Sequence, residues 1–283
     1  MRCPAYMSEA FKRFAALSVV ALAAAHPASA ASLLDRIVRD HVIVIGTAND
    51  APLSAVEKDS RKAAGIFPDV LREVLKRNGL QAEIRPVAMP FASLIPALTS
   101  GRIDMIADSM YATAARKQVI DFTGMVFYNP EILDVPRGNP RKLHTLADLC
   151  GLAAGSYEGT TFVGLLRTAS SACPAGKPIE IRQYPTLDNV FADLSAGRLD
   201  AAVAASSLSA YALQQNPALA FELVADYKPA DRSAAGSAMG VSQGDDAFLA
   251  KFNAAYSAML ADGTSAAIFT KWGLTPTDFF LAR

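Results

Sequence analysis

A short segment recurs in the chain. Residues 98–104 read Leu-Thr-Ser-Gly-Arg-Ile-Asp and residues 194–200 read Leu-Ser-Ala-Gly-Arg-Leu-Asp, so Leu, Gly, Arg and Asp match at a constant offset of 96 residues. Each copy closes a stretch of helical spacing. Gly101 and Gly197 fit the position just past a helix end, where the backbone turns left-handed. Each copy is followed by a small apolar run, Met105-Ile106-Ala107 and Ala201-Ala202-Val203, suited to a strand buried on both faces. A period near one hundred is too long for a solenoid. It predicts an α/β chain with two similar lobes, each holding one helix–turn–strand unit.

The flanking pattern agrees. In the first half, strands are expected at 42–46 and 82–87, with helices at 68–76 and 91–98. Asn78-Gly79 is a stop signal for the first helix. In the second half, strands are expected at 152–155, 179–184 and 199–204, with helices at 160–166 and 188–194; further helices follow at 247–260 and 265–271. Alternation of this kind predicts mostly parallel sheets, which take ligands at the carboxyl ends of their strands. The turn-rich segments Asp134-Val-Pro-Arg-Gly138 and Asp231-Arg-Ser-Ala-Ala-Gly236 are read as two crossing or hinge segments.

The first thirty residues are set apart from the fold. Arg2, Lys12 and Arg13 precede an uncharged apolar run from Phe14 to Ala25, and Ala28-Ser29-Ala30 is a small-x-small cleavage pattern. This predicts a secretory signal peptide over 1–30 and a periplasmic destination. The run is shorter than the roughly 20 residues that cross a bilayer. Cys150 and Cys173 remain after cleavage; a pair in an exported chain suggests a disulfide, the alternative being two buried thiols. The whole chain has 27 basic and 27 acidic side chains and no basic stripe, so nucleic acid is not an expected partner. His26, His41 and His144 are scattered without metal-ligand spacing, and neither metal nor cofactor is expected.

Four stretches carry a resemblance that runs over residues 42–275: Gly65-Ile-Phe-Pro-Asp-Val70, Leu94-Ile-Pro-Ala-Leu-Thr-Ser-Gly-Arg-Ile-Asp104, Thr113-Ala-Ala-Arg116 with Ile120-Asp-Phe-Thr123, and Gly263-Thr264 with Lys271-Trp-Gly-Leu274. In order and spacing they resemble the bacterial extracellular solute-binding protein family 3. The resemblance implies a periplasmic-binding-protein type II-like fold, with lobe one at 32–135 plus 232–283 and lobe two at 136–231. It implies a monomer that gives its solute to the membrane subunits of an ABC importer, and no catalysis.

The same resemblance marks the binding chemistry. Thr113 is placed to cap a helix, which puts Arg116 beside the helix's unpaired N–H groups, an unfavourable place for a cation unless an anion sits alongside. A guanidinium grips a carboxylate through parallel hydrogen bonds; the alternative is an ordinary pair with Asp121. Ser109 and Tyr111 fall where the family binds the same carboxylate, with Tyr111 replacing a small hydroxyl residue. Gly159-Thr160-Thr161 opens the next lobe's first helix and is expected to meet the ligand. The family's acid for a ligand ammonium is replaced by Ala205, leaving Asp50 and Glu158 as candidate substitutes. Phe91, and Phe127 or Tyr128, are candidate walls. Asp69, Asp104 and Asp200 are read as structural. The leading function is capture of a small polar, carboxylate-bearing solute. The alternatives are a dehydratase-like periplasmic enzyme and an accessory or sensory binding protein.

Overall fold

The structure, a computed structural model, describes residues 31–229 and 236–275. The signal-peptide reading of 1–30 and most of the second crossing segment lie outside the described residues.

Two sheets form the body. In the first, the strands run in the order Glu83–Ala88, Val42–Thr47, Met105–Tyr111, Gly236–Val241, Asp121–Phe122, with Phe127–Tyr128 also paired to Gly236–Val241. In the second, the order is Glu180–Tyr184, Ala153–Tyr157, Ala201–Ala205, Glu131–Pro136, Phe221–Leu223. The first three strands of each sheet are parallel. The remaining pairs are antiparallel, because they are made by segments that enter from the other sheet or return to it. Helix Ile66–Arg77 packs on the first sheet, and Asp246–Ala261 and Thr264–Lys271 pack on that helix and on each other. Helices Thr161–Ser171 and Leu187–Ser195 pack on the second. Strands such as Ala201–Ala205 are buried along their whole length, as the continuous small apolar run requires.

The repeated segment explains itself locally. Gly101 and Gly197 have φ of 72° and 70°. In each copy the glycine N–H returns to a carbonyl three residues back, and the following arginine N–H reaches five residues back: Gly101 to Leu98 and Arg102 to Ala97, Gly197 to Leu194 and Arg198 to Asp193. This is a Schellman closure, and a side chain with a Cβ is disfavoured at its centre. The aspartate that ends each copy then fixes the neighbouring strand. Asp104 accepts from the Val44 N–H at 2.8 Å and returns its own N–H to the Val44 carbonyl; Asp200 does the same with Ala153 at 2.9 Å. Asp200→Ala is expected to lower stability by about 1.5–3 kcal/mol, because a charge-assisted bond to backbone is lost and a strand N–H is orphaned. Urea unfolding should show a lower midpoint at unchanged m-value; a midpoint equal to wild type would remove this role.

Asp69 is structural in the same sense. Its carboxylate takes Lys271 at 2.6 Å and the Trp272 indole N–H at 2.9 Å, and also Arg72, tying the last helix to Ile66–Arg77.

The first crossing differs from the sequence reading. Glu131–Pro136 is a strand of the second sheet, so the chain passes between sheets at Asn129-Pro130, ahead of the expected boundary between 135 and 136. The Pro136, Gly138 and Asn139 turn signals mark the far end of that strand. Its interior, with Glu131 and the run Leu133-Asp134-Val135 buried, satisfies a sheet rather than a hinge. On the return, Gly236 begins a strand of the first sheet.

Candidate functional site

A narrow cleft, nearly filled by its own side chains and with about 20 Å³ of free volume, lies between the two sheets. Asp50, Leu53, Phe91, Asp108, Ser109, Tyr111 and Arg116 line it from the first sheet's side. Tyr157, Thr160, Thr161, Phe162, Ala205 and Leu208 line it from the second. Of the eight ligand-contact residues expected from sequence, seven are brought together here, and Glu158 is not. The strand ends at Tyr157, buried on both faces, and Glu158 lies just beyond it, exposed, with its N–H paired to the Tyr184 carbonyl. Phe127 and Tyr128 are also not lining residues: Phe127 packs against Phe67 and Phe269 in the core, and Tyr128 is buried there.

Arg116 is held as its local sequence suggests. Thr113 caps the short helix Ala114–Lys117, its hydroxyl accepting from the Arg116 N–H at 3.3 Å. The guanidinium then reaches across the cleft. One Nη donates to the Tyr111 carbonyl and the other to the Gly159 carbonyl, both at 2.8 Å. It also stands 5.6 Å from the Phe91 ring centre, a cation–π distance. Among the described residues no carboxylate pairs with it, so the alternative pair with Asp121 is not formed. Burial lowers its pKa; an arginine remains charged.

The two sides meet through rings. Phe91 lies edge-on to Tyr157 at 5.7 Å and Tyr111 edge-on to Phe162 at 5.9 Å, favourable aromatic geometries. Gly159 is essential to this approach: a Cβ there would stand 2.7 Å from the Ala92 Cα. Tyr111 contributes a wall rather than a free hydroxyl, because its phenol donates to the Asn129 carbonyl in the crossing segment. The Ser109 hydroxyl meets the Ser237 hydroxyl at 2.6 Å and accepts from Asn129 at 3.2 Å. Thr160 donates its hydroxyl to the Tyr157 carbonyl at 2.8 Å and does not cap the helix that follows.

The acids set the site's charge. Asp108, which the sequence reading overlooked, accepts from the Ala48 N–H at 2.6 Å and from its neighbour Ser109 at 2.7 Å, with Thr47 at 3.4 Å. Burial still pushes its pKa up to about 6, against the pull of those bonds. Asp50 opens the turn after Val42–Thr47, its carbonyl accepting from Leu53 and Ser54. Its pKa is pushed well up, first by burial and then by Asp108 and Asp188. Tyr157 is pushed up by burial and by both cleft aspartates. The cleft thus carries one fixed cation opposite a buried carboxyl, Asp108, and a half-buried one, Asp50, with aromatic walls between.

Cys150 and Cys173 form a disulfide beside the helix Thr161–Ser171 that supplies part of the cleft.

Two mixed α/β sheets closing on a polar cleft, with the chain crossing between them, form a two-lobed periplasmic-binding-protein type II fold. Residues 43–275 match the bacterial extracellular solute-binding proteins, family 3, and the chain belongs to that family. It is 32% identical to the histidine-binding periplasmic protein of Salmonella typhimurium over 71% of this chain and 75% of that one. It is 31% identical to the L-arginine-binding protein of Pseudomonas aeruginosa over 79% of this chain and 85% of that one. Among solved structures, an ancestral arginine-binding protein bound to arginine superposes with a TM-score of 0.72 at 26% identity, covering 82% of this chain and 98% of that one.

Proposed function

We propose that the chain is the periplasmic receptor of an ABC importer for a small amino-acid-type solute carrying a carboxylate. The observation that carries this reading is Arg116. It is a charged fork enclosed in an interlobe cleft, satisfied on two N–H groups by carbonyls and faced by no carboxylate of its own among the described residues. A ligand carboxylate supplies the missing partner. Thr160, Thr161 and Ser109 are the polar neighbours of that group, Phe91, Tyr111, Tyr157 and Phe162 its walls, and the ligand closes the lobes by adding contacts to both. The receptor works as a monomer, without a cofactor.

A thermal-shift screen of the chain from residue 31 onward tests this. The panel is L-arginine, L-histidine, L-ornithine, L-glutamine, succinate, amines and sugars. A ligand at a hundredfold excess over Kd stabilises by about 2.7 kcal/mol, a shift of several degrees. A shift with a carboxylate compound that disappears in Arg116→Ala supports the receptor; a panel that leaves Tm unmoved argues against it.

A second reading has its own observation. Asp108 is a buried carboxyl and Asp50 a half-buried one, both with raised pKa, and a protonated carboxyl in the cleft is what acid-assisted elimination requires. Asp108 is committed to backbone N–H groups, so Asp50 would be the acid. Failure to form product from prephenate or arogenate removes this reading.

A further inference from the structure

Ala205 leaves the second sheet's side of the cleft without an acid, and the cleft's carboxyls come from the other side. Asp108 spends both oxygens on Thr47, Ala48 and Ser109. Asp50 is different: among the described residues nothing donates a hydrogen bond to its carboxyl, and no cation pairs with it. The titratable and charged groups around it are Asp108 on Met105–Tyr111, Asp188 in the first turn of Leu187–Ser195, and Tyr157 at the end of Ala153–Tyr157. Arg116, the only basic side chain lining the cleft among the described residues, turns to the Tyr111 and Gly159 carbonyls. Asp50 is half-buried, and a carboxylate held there without donors and beside two further acids is disfavoured relative to the protonated acid.

We propose that Asp50 is the residue that selects for a cationic group on the ligand, exchanging its own proton for that cation on binding. This rests on the receptor reading above. The step is an exchange of charge: protonated Asp50 and a ligand cation become a carboxylate–cation pair, and one proton goes to solvent. The favoured ligand is therefore a zwitterion, with its carboxylate on Arg116 and its cation on Asp50. The division also explains how the cleft tolerates Ala205: the acid has moved to the opposite wall.

The sign follows from the raised pKa. At any pH where free Asp50 still holds its proton, which its raised pKa extends above the ordinary carboxylate range, binding must expel that proton. Affinity then rises by about tenfold per pH unit until Asp50 ionises unaided, and is flat beyond.

Titration calorimetry with L-arginine and L-histidine, in pairs of buffers of different ionisation enthalpy, reads the protons released. Succinate serves as the carboxylate without a cation. Release approaching one proton, together with a pH slope that vanishes in Asp50→Asn and a Kd weakened about ten- to a hundredfold, supports the proposal. Binding without proton release, or a slope that persists in Asp50→Asn and so belongs to Asp108, overturns it and leaves the receptor intact. Tighter binding of succinate than of either amino acid overturns cation selection while keeping Arg116 as anchor. A chain that binds none of the three overturns the proposal, and the wider thermal-shift panel decides the receptor reading. The proton count on the wild-type chain stands whether or not the variant folds.

Discussion

Arg116→Ala is expected to weaken binding of any carboxylate ligand by about 3–5 kcal/mol, two to three orders of magnitude in Kd or more. The size follows from enclosure. Removing the guanidinium leaves the ligand carboxylate desolvated with no cation, and it also breaks the 2.8 Å bond to Gly159 that joins the two sides of the cleft. Arg116→Lys separates these effects. It restores charge but not the planar fork, so it should recover only part of the loss. Titration calorimetry on whichever compound raises Tm reads both variants. An alanine variant with wild-type Kd would mean that the anion is held elsewhere and would remove the central residue of the proposed site.

The second large effect is on stability. Cys150 and Cys173 are 23 residues apart in sequence. Closing a loop of that length restricts the unfolded chain enough to contribute about 3 kcal/mol on the chain-entropy estimate. Reduction, or replacement of both cysteines by alanine, should lower Tm by about 6–12 °C in a chain of this size. Scanning calorimetry with and without reductant checks this. A fall of under about 2 °C would mean that the loop is already ordered in the unfolded ensemble. The pair ties the start of the second sheet to the end of Thr161–Ser171, so reduction should also loosen the wall formed by Thr161 and Phe162.

The architecture was legible in the sequence where local chemistry is decisive. The repeated glycine needs a left-handed backbone and the repeated aspartate needs a strand N–H, and both requirements are met within a few residues. Thr113 and Arg116 were legible for the same reason. Legibility stops where a residue's role depends on distant partners. Asp108 sits in an apolar strand and has no local signature; only the fold brings Ala48 and Asp50 to it. Tyr157 and Phe162 are not singled out by the sequence, because an aromatic at a strand end or helix start is the same letter whether it meets its own lobe or the opposite one. Glu158 falls one residue past the end of Ala153–Tyr157, where the chain leaves the buried sheet for solvent. Glu131–Pro136 has no apolar alternation and ends in turn residues, so it carries no local strand signature; its pairing with Ala201–Ala205 and Phe221–Leu223 makes it a strand.

The placement of Gly236–Val241 has a consequence for the growing chain. This strand lies between Met105–Tyr111 and Asp121–Phe122, so the first sheet has a gap at its middle until the chain has run through the whole second sheet and come back. Until residue 241 is available, Met105–Tyr111 presents an open hydrogen-bonding edge, the kind of surface that recruits other strands. The second sheet needs nothing beyond residue 223. The lobe that begins the chain is therefore the last to finish, and the interval between is when the protein depends most on being kept apart from its neighbours.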